Sequence, residues 1–249
     1  MMKFDNKVVV ITGGNSGIGL ASAKRFRELG ASIAISGRSA EKLDAAKAEL
    51  GVGAIARSVD VTSVDAVTAF IEEVVDAYGK IDVVVASAGG VTVRPFAAMD
   101  ERLFDEDLDR NFKGAYFAAQ RAIPRMRPGS SLIFLGSAAG RKGFQGMSVY
   151  GPAKAALRNL VRVLATELGD AGIRANLVSP GPIPTPGMDR LGLPEDELEK
   201  AKAGFASMVP LGRMGAAEDI ADAIVYLASD EARYVNGAEI AVDGGMAQV

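Results

Sequence analysis

Short apolar runs alternate with longer segments of helical periodicity along the chain. Residues 8–11 read Val-Val-Val-Ile, a β-branched run typical of a strand buried on both faces. Six more strands are predicted at 33–35, 54–59, 83–86, 131–135, 175–178 and 239–242. The intervening helices are predicted at 17–29, 40–50, 63–78, 100–126, 150–168 and 216–227. This strand–helix alternation predicts a parallel sheet covered by helices on both faces.

Local signals support these boundaries. Gly30 follows the first helix at the position that favours a left-handed residue, and Ser39 is placed to cap the second helix. Residues 67, 70, 71 and 74 form one apolar stripe on the third helix. We therefore predict an α/β fold of the Rossmann type, a three-layer doubly wound parallel sheet, as a single domain over residues 1–249.

One segment breaks the alternation. Residues 180–210 contain six of the ten prolines, so a regular helix cannot begin there. Irregular stretches of this length inside a compact domain are usually functional. We expect residues 182–210 to form an irregular, lid-like insertion.

Composition narrows the chemistry. The chain has 249 residues, 28 basic and 31 acidic side chains, a net charge of −3, and neither Cys nor His. This excludes a Ser-His-Asp triad and His- or Cys-based metal sites, so acid–base chemistry falls to Tyr, Lys, Asp or Glu, and no metal is expected. The acidic balance disfavours nucleic acid as a partner. No apolar segment reaches the ~18 residues of a membrane span, and the polar N-terminus lacks a signal pattern, so we expect a cytoplasmic protein without a membrane partner.

A glycine-rich turn lies between the first strand and the first helix. Residues 12–19 read Thr-Gly-Gly-Asn-Ser-Gly-Ile-Gly, which differs from G-x-G-x-x-G and lacks the lysine of a P-loop. Glycines allow the backbone to approach a pyrophosphate at a helix N-terminus. Such a turn can also be merely tight, but its place at the first β–α junction favours dinucleotide binding.

The end of the second strand bears on the choice of dinucleotide. NAD-binding folds place a carboxylate here, ~20 residues beyond the glycines, on the ribose hydroxyl. This chain has Ser36-Gly37-Arg38-Ser39 instead. A guanidinium can bind a phosphate with two hydrogen bonds, which favours NADP over NAD. A solvated arginine at a strand end is the alternative.

A tyrosine and a lysine share one helix face. Tyr150 and Lys154 are four residues apart, and Ser137 lies just beyond the fifth strand, where ligands bind in such sheets. A nearby ammonium is expected to lower the pKa of the phenol, which could then exchange a proton with a carbinol oxygen. Taken alone, the pair could equally be a surface contact.

Together these motifs resemble the short-chain dehydrogenase/reductase family over residues 7–242. The resemblance rests on the glycine-rich turn, Asp60-Val61, Ser87-Ala88-Gly89, Asn111, Ser137, the Tyr150/Lys154 pair, and Pro180-Gly181 with Thr185. It implies a catalytic tetrad: Tyr150 as acid–base, Ser137 polarising the substrate oxygen, Lys154 lowering the Tyr150 pKa and binding the nicotinamide ribose, and Asn111 holding a water. It also places Asp60 and Val61 at the adenine, and Ile183 and Thr185 at the nicotinamide carboxamide.

The expected cofactor is NADP(H). The residues expected to bind it are Gly13, Asn15, Ser16, Gly17, Ile18, Gly19, Arg38, Ser39, Asp60, Val61, Ser87, Ala88, Gly89, Tyr150, Lys154, Pro180, Gly181, Ile183 and Thr185. Ser87 stands where the family often has asparagine, and we expect a small effect on the geometry there.

The expected substrate pocket is mostly apolar, which suits a small molecule. Its candidate residues are Val91, Arg94, Ala139, Phe144, Met147, Met188, Leu191 and Phe205. We expect an NADP(H)-dependent enzyme acting on a ketone or a secondary alcohol, and favour a ketone reductase because methionine side chains adapt to varied shapes. A glucose-type sugar 1-dehydrogenase and a non-catalytic NADP-binding regulator are the alternatives.

Two other chemistries of the superfamily fit the motifs less well. Halohydrin dehalogenases lack the glycine-rich turn and have arginine at the position of Lys154, and enoyl reductases space the tyrosine and lysine further apart. The resemblance also implies a homotetramer in which helices 100–126 and 150–168 pair across a two-fold axis. The face formed by Ala153, Ala156, Leu157 and Leu160 would allow that approach, but could equally pack on the sheet.

Overall fold

The computed structural model describes residues 2–184 and 195–249. Its strands are β1 (Val8–Thr12), β2 (Ser32–Gly37), β3 (Ile55–Ser58), β4 (Ile81–Ala86), β5 (Met126–Leu135), β6 (Arg174–Pro180) and β7 (Glu239–Val242). Its α-helices are α1 (Gly17–Glu28), α2 (Ala40–Leu50), α3 (Val64–Tyr78), α4 (Glu101–Leu108), α5 (Gly114–Ala122), α6 (Tyr150–Glu167), α7 (Glu195–Ser207) and α8 (Ala217–Ala228).

The seven strands form one parallel sheet in the order β3-β2-β1-β4-β5-β6-β7. Val10 of β1 pairs with Ala34 of β2 on one side and with Val84 of β4 on the other. The strand order reverses between β1 and β4, so their carboxyl ends open a crevice at that point. The predicted doubly wound α/β fold is confirmed.

Each face of the sheet carries its own apolar core. All five residues of β1 are buried, as the β-branched run predicts. Val10 packs into the core with α3, α5 and α6, whereas Val9 and Ile11 pack into the core with α1, α2 and α8. On α6, Ala153 and Leu157 are also buried inside the subunit. These two side chains therefore belong to the subunit's own packing rather than to a free helix-pairing face.

The predicted long helix at 100–126 is interrupted. A π turn at Asp109–Lys113 separates α4 from α5, and a 3-10 turn at Ile123–Arg125 ends the helical region. β5 then starts at Met126 rather than at 131. A register shift against β4 accommodates the extra residues, and Gly129 there adopts a φ of +89°. The prediction failed here because Pro128-Gly129 terminates a helix and interrupts a strand equally well.

The proline-rich insertion is not irregular throughout. Its second half forms α7, whose thirteen residues contain no proline. The correction follows from composition, because the prolines lie before and after this helix and leave its hydrogen-bond ladder intact. Within the described ranges, no helix is long and apolar enough to cross a bilayer.

Candidate active site

The glycine-rich turn and the loop after β4 touch at the crevice. Gly13 has a φ of +69°, and a Cβ added to it would lie 2.8 Å from the Cα of Ala88. The Ala88 N–H donates to Thr12 Oγ1 at 3.2 Å. Glycine is needed at position 13 both for its backbone conformation and for this close approach. The turn is thereby held in a fixed position beside β4.

The N-terminus of α1 faces the crevice. Ser16 is its N-cap residue, and in the described structure the Ser16 side chain caps none of the helix N–H groups. Those donors and the positive end of the helix dipole are therefore available to a phosphate. This arrangement fits the pyrophosphate of a dinucleotide.

A cleft of about 1730 Å³ runs along the carboxyl ends of the strands. Its volume exceeds the ~300–1,000 Å³ of an ordinary ligand pocket, which leaves room for a dinucleotide and a second molecule. The predicted cofactor residues that line it are Gly13, Asn15, Ser16, Gly17, Ile18, Gly19, Arg38, Ser39, Asp60, Val61, Ser87, Ala88, Gly89, Tyr150, Lys154, Pro180, Gly181 and Ile183. Thr185 lies outside the described residues.

Two cations border the cleft beyond β2. Arg38 is exposed at the end of this strand. Ser39 caps α2 by accepting from the Lys42 N–H at 3.3 Å, and Lys42 also lines the cleft. The sequence interpretation missed Lys42, although its place in the first turn of α2, just after the strand end that carries Arg38, was a usable signal. Both positive charges lie on the same side of the cleft.

Asp60 is held as a carboxylate near the same end. Its pKa is lowered, first by the Thr62 backbone N–H, which donates to Oδ1 at 3.0 Å. The positive charges of Arg38 and Arg110 act in the same direction. The ionised side chain can therefore accept hydrogen bonds from a ligand in the cleft.

Lys154 is buried behind Tyr150 on the first turns of α6. It is 4 % exposed, and its Nζ donates to the Leu135 carbonyl oxygen at 2.8 Å. Nζ also lies 5.7 Å from the centre of the Tyr150 ring. Burial lowers the pKa of Lys154 to about 8, against the opposing effect of the Asp107 carboxylate. The structure thus brings the two predicted residues together.

The pKa of Tyr150 is raised rather than lowered. Burial of the phenol is the largest cause, and the charge of Asp107 adds to it. Hydrogen bonding to Ser137 acts in the opposite direction. The lowering of the Tyr150 pKa by Lys154 stays a prediction, because in the chain alone burial of the phenol determines the direction of the shift.

Ser137 lies at the carboxyl end of β5, opposite the phenol. Its Oγ accepts from the Ala139 N–H at 3.1 Å, which leaves the hydroxyl proton for another acceptor. A carbonyl oxygen between Ser137 and Tyr150 would meet two hydroxyl donors. This is the geometry expected of an acid–base site for carbonyl chemistry.

Asn111 is fully buried within the π turn, outside the cleft lining. Its Nδ2 donates to the Gly90 carbonyl oxygen at 2.9 Å, and its Oδ1 accepts from the Gly90 N–H at 3.1 Å. The side chain therefore clamps the loop after β4. The water expected at Asn111 stays a prediction.

Apolar side chains line part of the cleft, and four charged residues of α4, Glu101, Arg102, Asp105 and Glu106, line it as well. Of the predicted pocket residues, Val91, Ala139, Phe144, Met147 and Phe205 line it. Met188 and Leu191 lie outside the described residues. Arg94 is exposed and does not line the cleft, and its main-chain N–H donates to the Gly146 carbonyl oxygen at 2.8 Å.

The sequence interpretation also missed Met246. This residue comes from the C-terminal segment, is 5 % exposed and packs with Ala138 and Val209 beside the cleft. Asp243 turns the chain there by accepting from the Gly245 and Ala247 N–H groups. No local motif signals this contact, since it depends on where β7 ends.

Comparison with known proteins agrees with this geometry. Residues 13–247 match the family model described as "Enoyl-(Acyl carrier protein) reductase". The chain is 40% identical over 252 residues to "Oxidoreductase asL5" of Sarocladium schorii, covering 100% of this chain and 99% of that protein. It is 36% identical over 250 residues to "3-oxoacyl-[acyl-carrier-protein] reductase FabG" of Thermotoga maritima, covering 98% and 99%.

A solved structure is also closely similar. It is titled "Short-chain dehydrogenase/reductase SDR:Glucose/ribitol dehydrogenase" from Brucella melitensis, with a TM-score of 0.93, 32% identity, and coverage of 100% of this chain and 99% of that one. The chain belongs to the short-chain dehydrogenase/reductase family. It is an oxidoreductase whose family uses a nicotinamide cofactor, NAD or NADP.

Proposed function

We propose that the protein is an NADPH-dependent reductase of ketones. The observation that carries the proposal is the arrangement of Tyr150, Ser137 and Lys154 along the cleft, with Lys154 Nζ 5.7 Å from the centre of the Tyr150 ring. The raised pKa of Tyr150 is consistent with this role, because the phenol keeps its proton at neutral pH and can donate it to a carbonyl oxygen. Carbonyl reduction requires such a donor, whereas alcohol oxidation requires the phenolate.

When bound, the reduced nicotinamide supplies a hydride to the carbonyl carbon. Ser137 donates a hydrogen bond to the carbonyl oxygen and holds it against Tyr150. The Tyr150 hydroxyl delivers its proton to that oxygen as negative charge develops there. Hydride and proton together convert the carbonyl to a secondary alcohol and leave a phenolate, which solvent protons restore. Lys154, tied to Leu135, stabilises the transient phenolate by its positive charge.

Arg38 and Lys42 support NADPH as the cofactor. Both line the cleft beyond β2, where the 2′-phosphate of NADP is bound in this type of fold. β2 ends in Gly37 and is followed by Arg38, so the carboxylate that NAD-specific folds place there is replaced by a cation. A phosphate carrying two charges gains from both side chains.

The apolar lining supports a ketone with a sizeable hydrocarbon part. Val91, Phe144, Met147, Phe205 and Met246 provide no hydrogen bond to a substrate hydroxyl. A sugar 1-dehydrogenase is the second candidate, because the similar Brucella melitensis structure is titled a glucose/ribitol dehydrogenase. The description of the family model adds an enoyl thioester to the compounds to be tested.

We also propose a cytoplasmic homotetramer. Exposed apolar side chains on three neighbouring helices support subunit contacts there: Phe104 of α4, Tyr116 of α5 and Val163 of α6. Sedimentation of the purified protein tests the assembly, and a monomer at micromolar concentration would contradict it.

The decisive experiment follows NADPH absorbance with an aryl alkyl ketone, an aldose and an enoyl thioester, each repeated with NADH. We expect NADPH oxidation by the ketone, slower oxidation with NADH, and loss of turnover in Tyr150→Phe while NADPH still binds. Tyr234→Phe is the matched control, since the Tyr234 ring is fully exposed. Turnover retained in Tyr150→Phe would refute the proposal, and aldose oxidation without ketone reduction would favour the sugar dehydrogenase.

A further inference from the structure

Asp107 is a buried carboxylate next to the active site that the proposed chemistry does not use. It lies on α4 and is fully inaccessible to solvent. An isolated buried carboxylate destabilises a folded protein by several kcal/mol. A buried aspartate therefore needs hydrogen-bond donors or a cation beside it, and its stability depends on them. Its position, one turn before Asn111, places it behind the catalytic residues.

Three donors converge on one oxygen of this carboxylate. Asp107 Oδ1 accepts from Arg110 at 2.8 Å, from Asn111 Nδ2 at 3.0 Å and from Thr92 Oγ1 at 3.1 Å. Arg110 also donates to Thr92 Oγ1 at 3.1 Å. Among the described residues, Asp107 Oδ2 is buried with no hydrogen-bond partner. The cluster therefore joins α4, the π turn and the loop after β4.

The cluster fixes which way the Asn111 amide points. Nδ2 is held by the main-chain oxygen and the Oδ1 of Asp107, so Oδ1 of Asn111 faces the Gly90 N–H. Reversing the amide would place its oxygen against three acceptors, the Gly90 carbonyl oxygen and the main-chain and carboxylate oxygens of Asp107, and its nitrogen against the Gly90 N–H. The carboxylate thus adds to the main-chain contacts that orient Asn111 toward the loop.

That loop reaches the catalytic lysine. A Cβ built on Gly89 would lie 2.7 Å from Asn111 Oδ1 and 3.5 Å from Lys154 Nζ. Gly89 therefore sits between the clamp and the ammonium group. Displacement of Asn111 changes the space in which Lys154 and the cofactor-facing backbone are held.

We infer that Asp107 is a positioning residue for the reaction, which with Arg110 and Thr92 sets Asn111 and, through the Gly89–Gly90 loop, the Tyr150–Lys154 pair. The inference rests on the proposed function for its kinetic readout. The ionisable groups that face Asp107 are Arg110 on the π turn and Tyr150 and Lys154 on α6. Arg110 in turn faces Asp60.

The first readout is kinetic. Asp107→Asn keeps the shape of the side chain and removes its charge. We expect kcat for ketone reduction to fall roughly tenfold or more, with the KM for NADPH within about twofold, because the reacting groups are misplaced while the binding surface is kept. Asp76→Asn, the same change at an exposed site on α3, is the control and should match the wild type.

The second readout needs no substrate. The chain has five Tyr and no Trp, so tyrosinate absorbance is free of indole, and the difference between the wild type and Tyr150→Phe isolates Tyr150. Measured in each background, this titration should move to lower pH in Asp107→Asn, since a negative charge is lost. It should move to higher pH in Arg110→Met, since the carboxylate is left uncompensated.

Each outcome decides the matter. A fall in kcat without the titration shift indicates a merely structural role and overturns the inference, as does an unchanged kcat. If Asp107→Asn does not fold, Arg110→Met and Thr92→Val provide the test instead. The inference is overturned if both variants have the kcat and the Tyr150 titration of the wild type. If the wild type turns over none of the substrates, the proposed function fails and the titration alone decides the inference: shifts in the expected directions in Asp107→Asn and Arg110→Met support it, and their absence overturns it.

Discussion

The Lys154 ammonium group donates to the main-chain oxygen of Leu135 at 2.8 Å, tying α6 to the carboxyl end of β5. This hydrogen bond partly offsets the desolvation cost of burying the Lys154 ammonium group beside Tyr150. Its pKa of about 8 lies below the ordinary 10.5. Burial therefore makes the protonated form of Lys154 less favourable in the folded protein than in the unfolded chain.

This relation predicts a pH-dependent stability. Between about pH 8 and 10.5 the unfolded chain binds more protons at Lys154 than the folded chain does, so its contribution to the free energy of unfolding rises with pH across that window. The full effect is at most roughly 3 kcal/mol. Between about pH 8 and 10.5 the free energy of urea unfolding of the wild type should rise relative to that of Lys154→Met, which lacks the titrating group. Parallel curves would contradict the prediction.

The direction of the reaction should depend on pH through Tyr150. Because the Tyr150 pKa is raised, the phenol persists through neutral pH. The reduction rate should stay flat through neutral pH, begin to fall near pH 8 as Lys154 loses its charge, and fall further as the phenol ionises. Alcohol oxidation, which needs the phenolate, should rise with pH over the same range. Initial rates in both directions on one enzyme preparation check this. A reduction rate that falls already near neutral pH would show that another group titrates.

Gly13→Ala should impair both stability and cofactor binding. Gly13 combines a positive φ with a close approach to Ala88, so the new methyl group adds a clash to backbone strain. Gly51→Ala is the matched control, because its φ is +80° and nothing lies within 4 Å of the added Cβ. We expect a loss of about 1–3 kcal/mol in the control from strain alone, because a ψ of −173° places Gly51 in a region that is essentially restricted to glycine.

The two glycine variants differ in their expected readouts. NADPH fluorescence should show normal binding to Gly51→Ala and weakened binding to Gly13→Ala, together with a larger loss of stability. Equal effects in the two variants would mean that backbone strain, and not contact with the β4 loop, governs position 13.

Arg38 and Lys42 should determine the preference for NADPH. Arg38→Asp places a carboxylate where a 2′-phosphate would bind, so the ratio of kcat/KM for NADPH to that for NADH should fall by roughly tenfold or more, and Lys42→Gln should lower it less. Arg125→Asp, at the opposite end of the sheet, gives the same charge change and should leave the ratio unaltered. An unchanged ratio in Arg38→Asp would move phosphate recognition to other groups.

Much of the fold could be predicted from periodicity. The β-branched run at residues 8–11 is buried on both sheet faces because no other environment suits four such side chains in succession. The prediction of one long helix at 100–126 was wrong in its middle, where a π turn lies, and at its end, where β5 already begins. Helical periodicity does not distinguish a continuous α-helix from a helix interrupted by a π turn. Whether such a turn forms depends on the segments that pack against the helix.

The sequence by itself determined the alternation of strands and helices, the glycine-rich turn at the first junction, and the placement of Tyr150 and Lys154 on one helix face. These features depend on backbone geometry over a few residues. Only the tertiary structure decided that the Tyr150 pKa is raised, that Asp107 lies behind Asn111, and that Met246 borders the cleft while Arg94 does not. Burial and electrostatic coupling arise between segments far apart in the chain, so no local spacing encodes them.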